Sequence, residues 1–183
     1  MEFANCIYSL LAVSLFLASP RDCPAMFGSI RDMYSVRKAW GCVWHQQCRR
    51  IGSALGIWLS RDVLGLRKGS FMSKYTQLFT SFAISGFVHG AASMVVSRSF
   101  DDDASMRSFL SQAVIILLED HVIDAGKRLG FKDSRLWRVV GFCWTVGAIG
   151  WGLEPWITRC VEHGVWVHDR EFDLLGIGPG VGV

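Results

Sequence analysis

The sequence predicts an all-α, integral-membrane helical bundle, with about three to four transmembrane helices and one interfacial helix. Three observations carry that expectation. Of the 183 residues 51% are hydrophobic, eight are tryptophan and the mean hydropathy is +0.30, more apolar than a water-soluble domain of this length needs to be. Four apolar stretches punctuate the chain, and the charge of the loops between them alternates. Residues 1–183 therefore read as a single membrane-embedded domain.

The first stretch, Phe3 to Ala18, is read as a retained span. A secretory signal is the alternative, but Met1-Glu2 brings no positive side chain to its start. Thr76 to Val96 is the second stretch and is about long enough to cross a bilayer. Met106 to Leu118 is shorter and needs Ser105 and Glu119 at the interface. Leu136 to Leu153 is the fourth. Between the first two, Ile51 to Leu66 carries Trp58, Leu59, Val63, Leu64 and Leu66 at roughly helical spacing. Gly52, Gly56, Ser60, Arg61 and Asp62 interrupt it, which suits an interfacial or re-entrant helix.

Loop charge gives the orientation. Arg21, Arg31, Arg37, Lys38, Arg49, Arg50, Arg61, Arg67, Lys68 and Lys74 outweigh Asp22, Asp32 and Asp62 before the second stretch. Asp101, Asp102 and Asp103 then face Arg98 alone, and Lys127, Arg128, Lys132 and Arg135 make the third loop basic again. Positive charge collects on the cytosolic side, so the first and third loops read as cytosolic and the second loop and tail as lumenal. The formal net charge of +3 and the lack of a basic-aromatic recognition motif argue against nucleic acid. The six cysteines, Cys6, Cys23, Cys42, Cys48, Cys143 and Cys160, form no CxxC pair and no zinc spacing, so neither a metal site nor a disulfide framework is expected. The glycines of Gly176 to Gly182 lack the strand-loop-helix setting of a phosphate loop.

Three polar motifs interrupt the apolar pattern. Ser81-Phe82-Ala83-Ile84-Ser85-Gly86-Phe87-Val88-His89-Gly90 sets a histidine inside the second stretch, where an ionisable group is costly and is tolerated chiefly at functional positions. The alternative is a buried histidine satisfied by a backbone carbonyl. Ser85, Gly86 and Gly90 give either room around His89 or helix-helix packing by small residues. Ala39-Trp40-Gly41-Cys42-Val43-Trp44-His45-Gln46-Gln47-Cys48-Arg49-Arg50 gathers indoles, amides and guanidiniums. It suits a phosphate-bearing ligand with a stackable base, such as coenzyme A, or equally an aromatic belt with headgroup-binding arginines. In the third, Gln112 and Glu119 lie seven apart in Phe109 to His121, near one helix face, where they can line a polar cavity; Glu119-Asp120 can instead mark the membrane surface.

Together the motifs Trp40, Trp44-His45-Gln46 with Arg49, then Ser81-Phe82, Ser85-Gly86 and His89, then Gln112 and Glu119-Asp120, resemble the wax-synthase-like branch of the membrane-bound O-acyltransferases, in particular fungal acetyltransferases of terpenoid and meroterpenoid pathways. The resemblance covers about Met33 to Trp151. Ala39, Cys42 and Val43 depart from the family pattern Phe-Trp-Gly-Arg-x-Trp-His. Family members are also longer, with further spans ahead of this motif, so the chain reads as a C-terminal portion or a truncated member. The resemblance implies acetyl transfer from acetyl-CoA, a co-substrate rather than a bound cofactor, to the hydroxyl of a lipophilic, terpenoid-like alcohol of secondary metabolism. It places the chain in the bilayer, multi-pass, in the endoplasmic reticulum. His89 takes the part of general base, an imidazole being suited to that task near neutral pH. The resemblance makes His45 the second catalytic group and Trp40, Trp44, Gln46, Arg49, Ser85, Gln112 and Glu119 the expected substrate- and coenzyme-binding residues. A long-chain wax-ester synthase and a catalytically inactive fragment that binds a partner protein are the competing readings.

Overall fold

A computed structural model describes residues 2–23, 27–44, 49–97 and 104–162. His45, Gln46, Cys48, the aspartates 101–103 and the glycine-rich tail lie outside the described residues. Every regular element among the described residues is helical. The first helix, α1, spans Glu2–Ser14, 13 residues. At 1.5 Å per residue it reaches about 20 Å, short of the roughly 30 Å of hydrocarbon. Phe16 then turns back in the left-handed region at φ 59°. The stretch expected to span, Phe3 to Ala18, is helical as far as Ser14 in the described residues.

After short 3₁₀ turns at Pro20–Asp22 and Ile30–Asp32, α2 (Val36–Lys38) runs straight into a π-helical turn, Ala39–Val43. Ser35 caps α2, its Oγ accepting from the Lys38 amide at 3.1 Å. Next, α3 (Arg49–Trp58) runs into a second π-helical turn at Leu59–Val63, covering the interfacial helix expected from the sequence. Its inner face is Gly52, Gly56 and Ser60, all buried, while Leu55, Trp58 and Val63 are exposed. The Gln77 amide ties Ser60 to Ser73, donating to the two hydroxyls at 3.1 and 2.9 Å.

Three long helices complete the bundle: α4 (Phe71–Ser97), α5 (Ser105–Arg128) and α6 (Arg135–Glu162). Within them Phe71–Val95 and Arg135–Glu162 are long and apolar enough to cross a membrane, and less than a quarter of each is buried. The core helix of a soluble protein is mostly buried instead. Outward-facing Phe87, Val95, Val139, Val146 and Trp151 give both helices apolar outer faces. In α5 the expected apolar stretch carries Arg107 near its start and continues past Leu118 through Glu119, Asp120 and Asp124, so length alone does not make it a span.

Small residues set the helix spacing. A Cβ at Gly86 would sit 3.0 Å from the Met106 Cα and 3.4 Å from the Phe109 Cβ. The Ser105 hydroxyl donates to the Gly86 carbonyl at 3.0 Å. Gly86 therefore serves packing between α4 and α5. On α6, Gly152 leaves the space that the Gln112 amide fills. The core that results, Val36, Phe82, Phe109, Ala113, Ile115, Ile116 and Ala148, lies where α2, α4, α5 and α6 meet. Replacing Gly86 with valine should force α4 from α5 and cost about 1–3 kcal/mol. Gly147, with open space around it, should accept alanine without loss. Thermal unfolding of both variants in detergent checks the contrast.

Candidate active site

A cavity of about 620 Å³ opens between the segment Arg37–Trp44, the start of α3 at Gly52 and Ser53, and the face of α4 from Lys74 to His89, with Phe109 and Ile116 of α5 behind. Arg37, Lys38 and Lys74 supply cationic lining. Lys74 and His89 are fifteen residues apart on one helix, about 22 Å at 1.5 Å per residue. The cavity is thus elongated, with cations at one end and an imidazole at the other.

His89 is fixed by its surroundings. Its Nδ1 lies 2.7 Å from the Ser85 carbonyl one turn earlier. A carbonyl can only accept, so Nδ1 carries the proton and the neutral ring keeps its lone pair on Nε2. The ring stacks on Phe109, with centroids 4.4 Å apart and an interplanar angle of 29°. Trp156 meets it nearly perpendicularly at 5.1 Å. Ser85 therefore both lines the cavity and orients the histidine through its backbone oxygen.

Trp40 makes the opposite wall. It contacts Trp44, Phe82 and Phe109 at centroid distances of 5.6, 5.5 and 6.1 Å. The π-helical turn that carries it closes with the Trp44 amide donating to the Ala39 carbonyl at 2.7 Å. Turns of this kind cluster at functional positions because they re-aim side chains. Behind Trp40, the Gln112 Oε1 accepts from the indole Nε1 at 3.2 Å, and its amide nitrogen reaches the Ala148 carbonyl at 3.5 Å. Gln112 is fully buried and lies outside the cavity lining, so in this arrangement it steadies Trp40.

Glu119 is equally structural in its contacts. One carboxyl oxygen accepts from the Val36 amide at 2.8 Å and from the Trp144 Nε1 at 3.1 Å, and the other accepts from the Arg37 amide at 3.1 Å. It caps α2 and ties it to α6. Its neighbour Asp120 accepts from the Arg37 guanidinium at 2.8 and 2.7 Å, the Lys74 ammonium at 2.6 Å and the Tyr75 hydroxyl at 2.9 Å. Burial pushes the Asp120 carboxyl up, but the bonds from Arg37, Lys74 and Tyr75 outweigh it and hold the pKa at about 2. Beside this clasp Lys38 contacts the Tyr34 hydroxyl, and the Tyr34 ring lies under both Lys38 and Arg138.

Of the residues singled out from the sequence, Trp40, Trp44, Ser85 and His89 meet around one cavity. Gln112 and Glu119 stand behind its Trp40-bearing wall. Arg49 opens α3, and His45 and Gln46 lie outside the described residues. Sequence reasoning missed Arg37, Lys74, Gln77, Phe109 and Trp156. Only Arg37 and Lys74 had left a signal, as part of the basic first loop.

The Membrane bound O-acyl transferase family model matches residues 23–111. "Acetyltransferase sirH" of Leptosphaeria maculans is 48% identical over 175 residues, 96% of this chain and 43% of that protein. "Acetyltransferase ple2" of Rhodocybe pseudopiperita is 39% identical, over 84% of this chain and 41% of its own length. "Acetyltransferase eriL" of Hericium erinaceus is 33% identical, over 90% and 43%. The chain thus spans about two fifths of the length of these relatives. No solved structure matches it.

The Asp120 clasp has a defined pH window. Because the folded pKa is below that of an unfolded aspartate, near 3.9, its contribution is complete above that value and is lost as pH falls through about 2. Acid unfolding in detergent should show wild type more stable than Asp120→Asn at pH 6, with the gap closing between about pH 4 and pH 2. A gap independent of pH would contradict the ion pairing.

Proposed function

We propose that this chain, a member of the membrane bound O-acyl transferase family, is the part of a membrane-bound O-acetyltransferase that moves an acetyl group from acetyl-CoA to the hydroxyl of a terpenoid-type alcohol. The observation that carries the reading is His89, whose Nδ1 is committed to the Ser85 carbonyl in a cavity that ends in cations. The names of the relatives, each an acetyltransferase, favour the two-carbon acyl group.

In this reading the alcohol binds with its hydroxyl against Nε2 of His89. As the oxygen attacks the thioester carbon, Nε2 takes the hydroxyl proton. The tetrahedral intermediate collapses, the C–S bond breaks, and the imidazolium returns the proton to the departing CoA sulfur, leaving the acetate ester and free CoA. The coenzyme phosphates lie toward Arg37, Lys38 and Lys74, where charge-assisted bonds favour them, and the pantetheine arm runs the roughly 22 Å toward His89. Trp40 and Trp44 offer ring faces along the way. His45, Gln46 and Arg49 belong to the same segment and take the parts that the family motif gives them, His45 as the second catalytic group.

The bilayer supplies the remaining conditions. With α4 and α6 crossing and α5 packed between them, the cationic end faces the cytosol of an endoplasmic-reticulum membrane and a greasy acceptor enters from the lipid. Transfer within the membrane then keeps water from the thioester.

Microsomes carrying the chain, given labelled acetyl-CoA and a panel of terpenoid alcohols, should form an acetate ester. His89→Ala should lower the rate by about 10²–10⁴-fold. Product at an unchanged rate from that variant would remove His89 from the mechanism.

A further inference from the structure

We propose that Trp156 is a positioning residue for His89, an assignment that rests on the acyl-transfer reading above. It lies beyond residues 23–111 of the family match and outside the motifs. A histidine on a helix can rotate its ring, and a base must present one nitrogen in one direction. The bond from Nδ1 to Ser85 at 2.7 Å fixes one edge of the ring. Phe109 covers a face at 4.4 Å, and Trp156 stands at 87° to the imidazole at 5.1 Å. Trp156 and Phe109 also contact each other at 5.5 Å. The three rings form a closed triangle, contributed by α4, α5 and α6.

Local sequence helps to build this corner. Pro155 lies inside α6, removing the backbone donor that the Trp151 carbonyl would otherwise meet. The next residue is the clamp. The Trp156 Nε1 is buried with no hydrogen-bond partner among the described residues, and burying an unpaired donor is unfavourable. The ring surface, rather than the N–H, is therefore what holds the imidazole, and phenylalanine should substitute for it where alanine cannot.

The test uses the full chain in microsomes, comparing wild type, Trp156→Ala, Trp156→Phe, His89→Ala and the His89→Ala/Trp156→Ala double variant. Trp156→Ala should lower kcat by about 10- to 100-fold with KM for acetyl-CoA within about threefold, a loss confined to the transition state. Trp156→Phe should stay within about threefold of wild type, and the double variant should match His89→Ala, because the two residues act as a unit. A second readout needs no turnover: carbethoxylation of His89 by diethyl pyrocarbonate, located by mass spectrometry, should be faster in Trp156→Ala than in wild type and unchanged in Trp156→Phe. Unchanged kcat and labelling in Trp156→Ala would overturn the proposal. So would a Trp156→Phe variant as impaired as Trp156→Ala, which would give the role to the indole N–H, or a double variant well below His89→Ala, which would mean general damage. If wild type forms no ester, the acyl-transfer reading fails, and the labelling rates still decide whether Trp156 holds the ring.

Discussion

One buried carboxyl group organises the rest of this structure. Glu119 accepts from two backbone amides at the start of α2 and from the Trp144 indole on α6. A carboxylate removed from water needs such partners, since an uncompensated one costs several kcal/mol. The partners Glu119 takes are ones that would themselves be orphaned at a helix start. The exchange docks a short, irregular segment onto α5 that has little helical length of its own. Asp120, the next residue, gathers Arg37, Lys74 and Tyr75, so adjacent acids on one helix tie together four elements.

That docking shapes the cavity. With Val36 and Arg37 pinned, the π-helical turn brings Trp40 between Phe82 and Phe109, and Gln112 holds the indole from behind. The opposite face is a helix whose small residues allow α5 to come close enough for Phe109 to reach His89. Gln112, Glu119 and Asp120 are satisfied by bonds between helices, as an apolar surrounding requires. The cations lie with Asp120 at one end and the imidazole at the other, and the proposed chemistry uses that polarity.

Much of this was legible in the sequence, and the exceptions have physical causes. The helices α4, α5 and α6 were visible as apolar runs, although α5 continues ten residues past Leu118 because Glu, Lys and Arg form helix as readily as Leu does. His89 stood out because an ionisable group in such a run is expensive. Gln112 and Glu119 stood out as polar residues seven apart on one helix face, yet their contacts did not: Trp40 is 72 residues from Gln112 and Val36 is 83 from Glu119, and no local spacing encodes such a pairing. They face a protein segment where the sequence suggested a polar cavity. On α3 Gly52 and Gly56 pack against α4 because close helix approach needs absent side chains. Trp156 left no signal, being one tryptophan among eight.

The most direct measurement of the central claim, that this cavity receives an acyl-CoA, is photoaffinity labelling of the full chain in membranes with a short-chain acyl-CoA carrying a photoreactive acyl group. Peptide mapping should place the label on the α4 face from Ser81 to His89 and on the segment Arg37–Trp44, and excess acetyl-CoA should suppress it. Label that falls elsewhere on the bundle, or that survives competition by acetyl-CoA, would contradict the account.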